Sequence, residues 1–432
     1  MNRGDYVAKF KGKTISEKIL SAKSSTDAYA GDVVEADIDY VMVNDITGPI
    51  AFREFDALSC EPLRDRIVLI PDHFVPNKDV PSAEQAREMR TFARKHRIEN
   101  YYEVGRGGVC HQVMIEEGFV APGRLIVGAD SHTCTYGALG AFSTGIGSTE
   151  AAACFAEGRL WFKVPETMSV NLIGKFKGYV SGKDLILKII GDIGVDGGNY
   201  KTMEFSGGGI GSMTISDRLT VSNMVVEAGA KAGIFPADKE TEEFVKGIVK
   251  GTYSKVSPDK EAHYLTELEY DLSSLEFMVA LPNSPGNVKP AMEVDVSIDQ
   301  AFLGSCTNGR IEDLRTAANI LRGKRIHSSV RMIVVPASMK VYRQALNEGL
   351  LGVFIESGAY VSGPTCGACL GGHMGVLGDG ERCVSSTNRN FVGRMGHKNS
   401  EVYLAGPAVV AASALKGRIT VPDESVRGAY YG

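Results

Sequence analysis

Three cysteines in the C-terminal third of the chain have the types and spacing of metal ligands. Cys366 and Cys369 form a Cys-x-x-Cys pair in VSGPTCGACLGG, and Cys306 lies upstream in FLGSCTNGR. Such a pair alone suits a redox dithiol, a zinc site or an iron-sulfur cluster. A redox dithiol usually lies near the start of a small domain, whereas this pair lies near the C-terminus of a long chain. A structural zinc site needs four ligands, and His373 is a candidate for one further ligand. Three thiolates on two strand-end turns favour a cubane iron-sulfur cluster over these two alternatives.

The number of cysteines bears on what the cluster would do. Electron-transfer clusters normally take four cysteines, whereas three leave one iron open to bind a substrate hydroxyl or carboxylate. We interpret the remaining cysteines as small buried residues without a partner at ligand spacing; they are Cys60, Cys110, Cys134, Cys154 and Cys383. The pattern therefore favours a catalytic role over electron transfer.

Groups suited to acid-base chemistry are concentrated in the first half of the chain. Asp72 and His73 end an apolar run in LIPDHFVP, and His111 follows a glycine turn in GGVCHQVMIEEG. Asp130 and His132 end another apolar run in LIVGADSHTCTYGALG. An aspartate beside a histidine can fix its tautomer or raise its pKa, which suits a proton donor to a leaving hydroxyl. These histidines are candidate catalytic acids and bases.

A glycine- and asparagine-rich segment near the C-terminus offers anion binding. In SSTNRNFVGRMGHKNSE, Arg389 and Arg394 follow the predicted strand ERCVSST. The planar guanidinium fork of arginine matches a carboxylate in bidentate geometry. Two such forks beside an open iron would hold a dicarboxylate. Ser131 is a further candidate for substrate binding, with a helix N-cap as the alternative.

Glycine-rich turns must position these groups. The chain has 50 glycines, many of them in clusters next to apolar runs such as RLIVGAD, VRMIVVPAS and VSIDQAFLG. An apolar strand that ends in a glycine-rich turn is how an open α/β sheet builds a site at its strand ends. We expect one boundary near Pro165, after a helix over TEAAACFAEGRLWFKV, and another in the linker-like ALPNSPGNVKPAM. The sequence thus predicts three α/β units, 1–165, 166–290 and 291–432, around a central crevice.

Composition narrows the class of protein. With 432 residues, 44% hydrophobic and 23% charged, the chain resembles an ordinary globular protein of more than one domain. A net charge of -5 argues against a nucleic-acid partner. The N-terminal MNRGDYVAKFKGKTISEKIL lacks the apolar core of a signal peptide, and no apolar run reaches the length of a membrane span. We therefore expect a cytoplasmic protein with no membrane partner.

Seven motifs, taken in order, resemble the aconitase superfamily over nearly the whole chain. They are DH at 72–73, CHQ at 110–112, GADSHT at 128–133, SNMVVEAGA at 222–230, GSCTN at 304–308, GPTCGAC at 363–369 and NRNFVGR at 388–394. Within the superfamily the chain is most similar to the large subunits of two-chain isopropylmalate dehydratases, with homoaconitase large subunits close behind.

The resemblance implies specific residue roles. It implies a 4Fe-4S cluster whose fourth iron binds substrate and water, and the implied ligands are Cys306, Cys366 and Cys369. The implied histidine-carboxylate pairs are Asp72 with His73, Asp130 with His111, and Glu227 with His132. The implied amides beside the cluster and carboxylate-binding residues are Asn223, Asn388, Ser131, Arg389 and Arg394. A substrate-binding glutamine of aconitase falls roughly on Glu54, where this sequence departs from the family.

The resemblance also implies an activity and a partner. Single-chain aconitases carry a fourth, mobile domain with a serine base, and here we expect a separate small subunit to supply this swivelling domain. The implied activity is a hydro-lyase that isomerises a hydroxy di- or tricarboxylate by dehydration and rehydration. Conversion of 2- to 3-isopropylmalate in leucine biosynthesis is the first candidate; homocitrate, citramalate and dimethylmalate stay open as substrates. An RNA-binding relative and an electron-transfer cluster protein are the alternatives from other classes.

Overall fold

The first unit is built on a parallel sheet whose strand ends carry the candidate acid-base groups. The computed structural model describes residues 12–423. The strands of this unit are β1 (Val33–Asp37), β2 (Tyr40–Val43), β3 (Ile67–Leu69), β4 (Leu125–Gly128), β5 (Phe142–Gly145) and β6 (Arg159–Lys163). The helices are α1 (Ile15–Ser24), α2 (Gly48–Leu58), α3 (Val80–His96), α4 (Cys110–Glu116) and α5 (Ser148–Glu157). The sheet has the order β3-β2-β4-β5, with every pair parallel.

The strands of this sheet are short apolar runs buried among helices, as parallel strands usually are. Because the pairs are parallel, the carboxyl ends of β2, β3 and β4 meet at one edge. The turns that follow these strands carry Asp45, Asp72 and Asp130. The predicted arrangement of polar groups at strand ends is therefore what the fold provides.

The helix expected over TEAAACFAEGRLWFKV is shorter than predicted. Helix α5 ends at Glu157, because Gly158 takes a left-handed conformation with φ 66° and its N–H donates to the carbonyl of Cys154. The following residues form β6, which pairs antiparallel with β1 and alternates between exposed and buried side chains. The prediction of a helix was wrong for RLWFK, whose apolar residues alternate with polar or exposed ones as in a half-buried strand.

The second unit contains another four-stranded parallel sheet, ordered β10-β7-β8-β9. Its strands are β7 (Thr167–Ile173), β8 (Thr202–Ser206), β9 (Ala232–Ile234) and β10 (Thr266–Asp271). Its helices are α6 (Gly182–Ile193), α7 (Ile215–Met224) and α8 (Lys239–Val245). Helix α7 begins at a capping box in which Thr214 and Asp217 exchange hydrogen bonds. This helix leads directly into Asn223 and, in the following turn, Glu227.

The third unit has a seven-stranded sheet ordered β12-β11-β17-β16-β13-β14-β15. Its strands are β11 (Met278–Ala280), β12 (Val288–Pro290), β13 (Gln300–Leu303), β14 (Arg331–Val334), β15 (Tyr360–Val361), β16 (Arg382–Ser385) and β17 (Glu401–Ala405). Its helices are α9 (Ile311–Leu321), α10 (Met339–Asn347), α11 (Leu350–Ser357) and α12 (Pro407–Lys416). Strands β13 to β17 pair parallel with one another, whereas β11 pairs antiparallel with β17 and β12 pairs antiparallel with β11 at one edge.

The strand order of the sheets can be compared with the three units expected from the sequence. The first two parallel sheets lie within 1–165 and 166–290, but β11 and β12, before residue 290, pair into the third sheet. The boundaries of the three units stay a prediction. Within residues 12–423, no helix combines the length and the apolar character needed to cross a membrane.

Candidate active site

A cavity of about 250 Å³ lies between the strand ends of the first and third units. Nearly all the residues singled out in the sequence line it, namely Asp72, His73, His111, Asp130, Ser131, His132, Cys306, Cys366, Cys369, Asn388, Arg389 and Arg394. Asn223 and Glu227 lie behind this lining and contact it through hydrogen bonds. A larger cleft, of about 590 Å³, lies beside α6 and β10 and contains none of these residues.

His73 is held in the cavity wall by the aspartate that precedes it. Its Nδ1 lies 2.6 Å from Oδ1 of Asp72, and its Nε2 lies 3.7 Å from Oδ2 of Asp130. Burial lowers the pKa of His73, but the charge and hydrogen bond of Asp72 outweigh it and raise the pKa to about 10. The imidazole is therefore a cation at neutral pH and has a proton to donate.

Asp45 fixes the turn that carries His73. Its Oδ1 accepts the backbone N–H groups of Asp72 and His73, each at 2.9 Å, and its Oδ2 accepts that of Phe74 at 2.8 Å. Asp45, Asp72 and His73 could in principle hold a metal ion. The oxygens of Asp45 are already engaged by three N–H groups, and those of Asp72 by His73 and by the N–H of Cys110. This cluster is better explained as a support for His73.

Asp130 links the two other histidines. Nε2 of His111 lies 2.9 Å from its Oδ1, and the same oxygen accepts the backbone N–H of His132 at 2.8 Å. Burial would raise the pKa of Asp130, but His111 and His132 hold it well below its usual range. The Nδ1 of His111 lies 3.0 Å from the hydroxyl of Tyr136, which fixes the ring from its other side. Together with His73, whose Nε2 lies 3.7 Å from Oδ2, Asp130 is therefore a carboxylate with three imidazole neighbours.

Glu227 joins the acid-base groups to the anion-binding segment. Its Oε1 lies 2.8 Å from Nε2 of His132 and accepts a 2.8 Å hydrogen bond from Nε of Arg389. Burial lowers the pKa of His132, and the hydrogen bonds with Asp130 and Glu227 reverse this and raise it. The side chain of Ser131 is half-buried, with its Oγ 3.4 Å from Nδ1 of His132. This part of the wall is charged and is connected to the third unit through Arg389.

The three cysteines reach the cavity from two turns. Cys306 follows Ser305, which has the positive φ of 82°, and Gly367, with φ 31°, separates Cys366 from Cys369. Burial raises the pKa of the Cys306 thiol to about 12. The hydrogen bond from Cys366 lowers the pKa of Cys369 well below its usual range, and Arg394 acts in the same direction. A cation bound in the cavity would favour the thiolate form of Cys306, which burial disfavours.

Polar side chains direct N–H donors at these sulfurs. The Nδ2 atoms of Asn223 and Asn388 each lie 3.3 Å from Sγ of Cys306, and Nη2 of Arg394 lies 3.8 Å from Sγ of Cys369. The Nε atom of Arg394 is buried and has no hydrogen-bond partner among the described residues. Clusters of iron and sulfur are held by thiolates whose sulfurs accept such hydrogen bonds. The donor set therefore fits an iron-sulfur group, and the unused Nε fits a ligand in the cavity.

The structure also places residues that the sequence did not single out. Asp45 and Cys110 belong to this region. Cys110 is buried, as expected, and it also lines the cavity. The apolar run YVMV that ends in Asn44 and Asp45 carries the same signal as the runs before Asp72 and Asp130. Glu54, by contrast, is exposed on α2 and does not line the cavity. The substrate contact suggested for position 54 is not supported by this location.

Comparison of the sequence with known protein families gives the family that the site residues indicate. The family model described as Aconitase family (aconitate hydratase) matches residues 17–295 and 287–417. The chain therefore belongs to the aconitase family, and the predicted family and fold class are confirmed.

Individual relatives match the chain over nearly its full length. The 3-isopropylmalate dehydratase large subunit of Thermodesulfovibrio yellowstonii is 55% identical over 96% of this chain and 99% of its own. The protein of the same name from Picrophilus torridus is 56% identical over 95% of this chain and 99% of its own. The 2,3-dimethylmalate dehydratase large subunit of Eubacterium barkeri is 53% identical over 96% of this chain and 100% of its own. The predicted enzyme class, a dehydratase, is confirmed by these relatives.

Proposed function

We propose that the chain is the catalytic large subunit of a 3-isopropylmalate dehydratase, which interconverts 2- and 3-isopropylmalate by removing and returning water. The single observation that supports this most is the cavity itself, where three histidine-carboxylate pairs face three buried cysteines. The names and high identity of its relatives favour isopropylmalate as the substrate. This step belongs to leucine biosynthesis, and the cytoplasm stays the predicted location.

In this proposal, Cys306, Cys366 and Cys369 hold a 4Fe-4S cluster with one iron free of protein ligands. When bound, that cluster supplies a Lewis acid toward the substrate hydroxyl and a neighbouring carboxylate. Asn223 and Asn388 donate to Cys306, and Arg394 donates to Cys369. These donors lower the negative charge on the sulfurs and hold the cysteines in place.

His73 donates the proton that the leaving hydroxyl needs. Its raised pKa keeps the ring protonated, and its Nδ1 is fixed by Asp72, so its Nε2 is the atom that faces the cavity and Asp130. A positioned general acid contributes roughly 10² to 10⁴ to the rate. When water adds to the adjacent carbon, the ring takes up a proton from that water and returns to its protonated form.

The substrate carboxylates are bound on the opposite side. The guanidinium groups of Arg389 and Arg394 line the cavity, and the unused Nε of Arg394 leaves a donor free for an anion. Glu227 holds Arg389 through its Nε, so its outer nitrogens remain to bind a carboxylate. Ser131 adds a hydroxyl donor next to His132.

The base that removes the carbon-bound proton comes from a small subunit with the swivelling domain. The relatives are named large subunits, which implies a small partner. Phe391 and Val392, between Arg389 and Arg394, are 47% and 63% exposed. These two apolar side chains offer a contact surface for the small subunit. The partner would close the cavity against water, which strengthens every charge interaction inside it.

Dimethylmalate is a second candidate substrate, because a large subunit of that specificity is 53% identical to this chain. The test is an anaerobic assay of the reconstituted large and small subunits on 3-isopropylmalate, dimethylmalate, homocitrate and citramalate. We expect the highest kcat/KM for 3-isopropylmalate. A preference for dimethylmalate would overturn the substrate assignment, and no dehydration of any of the four acids would overturn the proposed function.

A further inference from the structure

Lys183 is a buried lysine to which the proposed reaction gives no role. It lies in the first turn of α6, in the second unit, and its side chain is fully buried. Its Nζ donates to the backbone carbonyls of Ser386 at 2.8 Å and Thr387 at 2.6 Å. Within residues 12–423 it forms no ion pair with a carboxylate. An ammonium group buried in this way is costly unless another charge balances it.

The two carbonyls belong to the segment that leads into the site. Asn388 and Arg389 follow them directly, and the hydroxyl of Ser386 accepts the N–H of Gly304 at 2.9 Å and donates to its carbonyl at 3.1 Å. Gly304 begins the turn that carries Cys306. Lys183 therefore ties helix α6 to the segment after β16 and, through Ser386, to the turn that carries Cys306, although it does not line the cavity.

Two cysteines and two aspartates oppose the effect of burial on Lys183. Burial lowers its pKa to about 7, and the groups that oppose this are, in decreasing order, Cys369, Asp313, Cys306 and Asp184. The two aspartates are themselves buried, and burial raises the pKa of each to about 6. A negative group bound by the thiolates would favour the ammonium form further.

We propose that Lys183 is a positioning residue whose ammonium group balances the negative charge of the thiolate-bound cluster and holds the Ser386–Asn388 segment against it. This inference rests on the proposed iron-sulfur cluster. In this inference, the charge of Lys183 stabilises the chain with its cluster bound. It is not required for folding, and it does not contact substrate.

The test compares Lys183→Met, which keeps the length of the side chain but removes its charge, with wild type. Lys188→Met is the matched control, since Lys188 is on the same helix but pairs with Asp192 at the surface. After anaerobic reconstitution, we expect Lys183→Met to release iron to a chelator about tenfold faster, the loss expected for a hydrogen bond to a charged group. Its cluster should also have a more negative reduction potential, because a nearby positive charge favours the added electron.

A second readout does not need the cluster. Backbone hydrogen exchange in residues 386–389 should increase in Lys183→Met and stay unchanged in Lys188→Met. Lys183→Gln, which keeps a donor without the charge, should restore slow exchange in part but not the reduction potential. Lys183→Arg, where it folds, should restore the potential.

The outcomes separate this inference from the proposed function. A wild-type chain that takes up no cluster would overturn both. Wild-type uptake together with an unchanged iron-release rate and potential in Lys183→Met would overturn only the role of Lys183. Failure of both neutral variants to fold would also contradict it, because the charge would then serve the fold and not the cluster.

Discussion

The two walls of the cavity differ in how their polar groups are satisfied. In the wall from the first unit, each histidine meets a carboxylate, and Asp45 engages three successive backbone N–H groups. In the wall from the third unit, amide and guanidinium donors point at thiols, and Nε of Arg394 has no partner within residues 12–423. The first wall is complete as folded, whereas the second is arranged for a group that the chain must bind. Damage to the first wall should therefore change the rate of proton transfer, and damage to the second should change the binding of the cofactor or of the substrate carboxylates.

The largest effect is expected for Cys366→Ser. Loss of one of three proposed thiolate ligands should abolish the cluster and all turnover, while the acid-base wall keeps its structure. Iron content and visible absorbance after anaerobic reconstitution measure this. Cys383→Ser is the control, since Cys383 is buried in β16 outside the cavity. Retention of a full cluster in Cys366→Ser would remove this residue from the ligand set.

His73→Asn should separate chemistry from cofactor binding. Without the general acid, we expect kcat to fall by roughly 10² to 10⁴ while iron content and the absorbance spectrum stay at wild-type values. The control is His327→Asn, at an exposed histidine that bonds to Ser329. An unchanged kcat in His73→Asn would exclude His73 as the acid.

Asp45→Asn tests whether the hydrogen bonds from the backbone of the turn to Asp45 hold His73 in place. The amide group cannot accept on its nitrogen side, so at least one of the three N–H bonds to the turn is lost. Because small misplacements of a catalytic group reduce rate steeply, we expect kcat to fall by about 10 to 100-fold with little change in KM. Asp39→Asn is the matched control, since Asp39 accepts the N–H of Leu125 near the amino end of the same sheet. Equal losses in both variants would show a general effect on the fold.

The smallest effect is expected from pH. The folded-state pKa of His73 is raised to about 10, so its imidazolium form is present at neutral pH and is lost as pH rises through that value. We expect kcat/KM of the wild-type pair, which reports the free enzyme, to decline on the alkaline side with this group, and the decline to be absent in His73→Asn. The ion pair with Asp72 stabilises the folded chain fully below the unfolded pKa of 6.5. This stabilisation is lost as the pH rises from 6.5 through the folded pKa of about 10. A decline that persists in His73→Asn would assign it to another group.

Much of the site could be predicted because its residues follow apolar strands. Asp72, Asp130 and Cys306 each come after a buried run, and parallel pairing brings such ends together. Asp45 carries the same signal, but no histidine lies beside it to mark it as a candidate for acid-base chemistry. Lys183 carried none, since a lysine in the first turn of an amphipathic helix usually faces solvent. Its burial depends on how the second and third units pack, which no local pattern records.

The measurement that tests this account most directly is the metal content and spectrum of the anaerobically reconstituted chain. If Cys306, Cys366 and Cys369 hold a 4Fe-4S cluster with one open iron, the chain should bind about four irons, and mild oxidation should release one to leave a 3Fe species visible by electron paramagnetic resonance. Tightly bound zinc without iron, or a four-iron cluster that loses no iron on mild oxidation, would contradict the account.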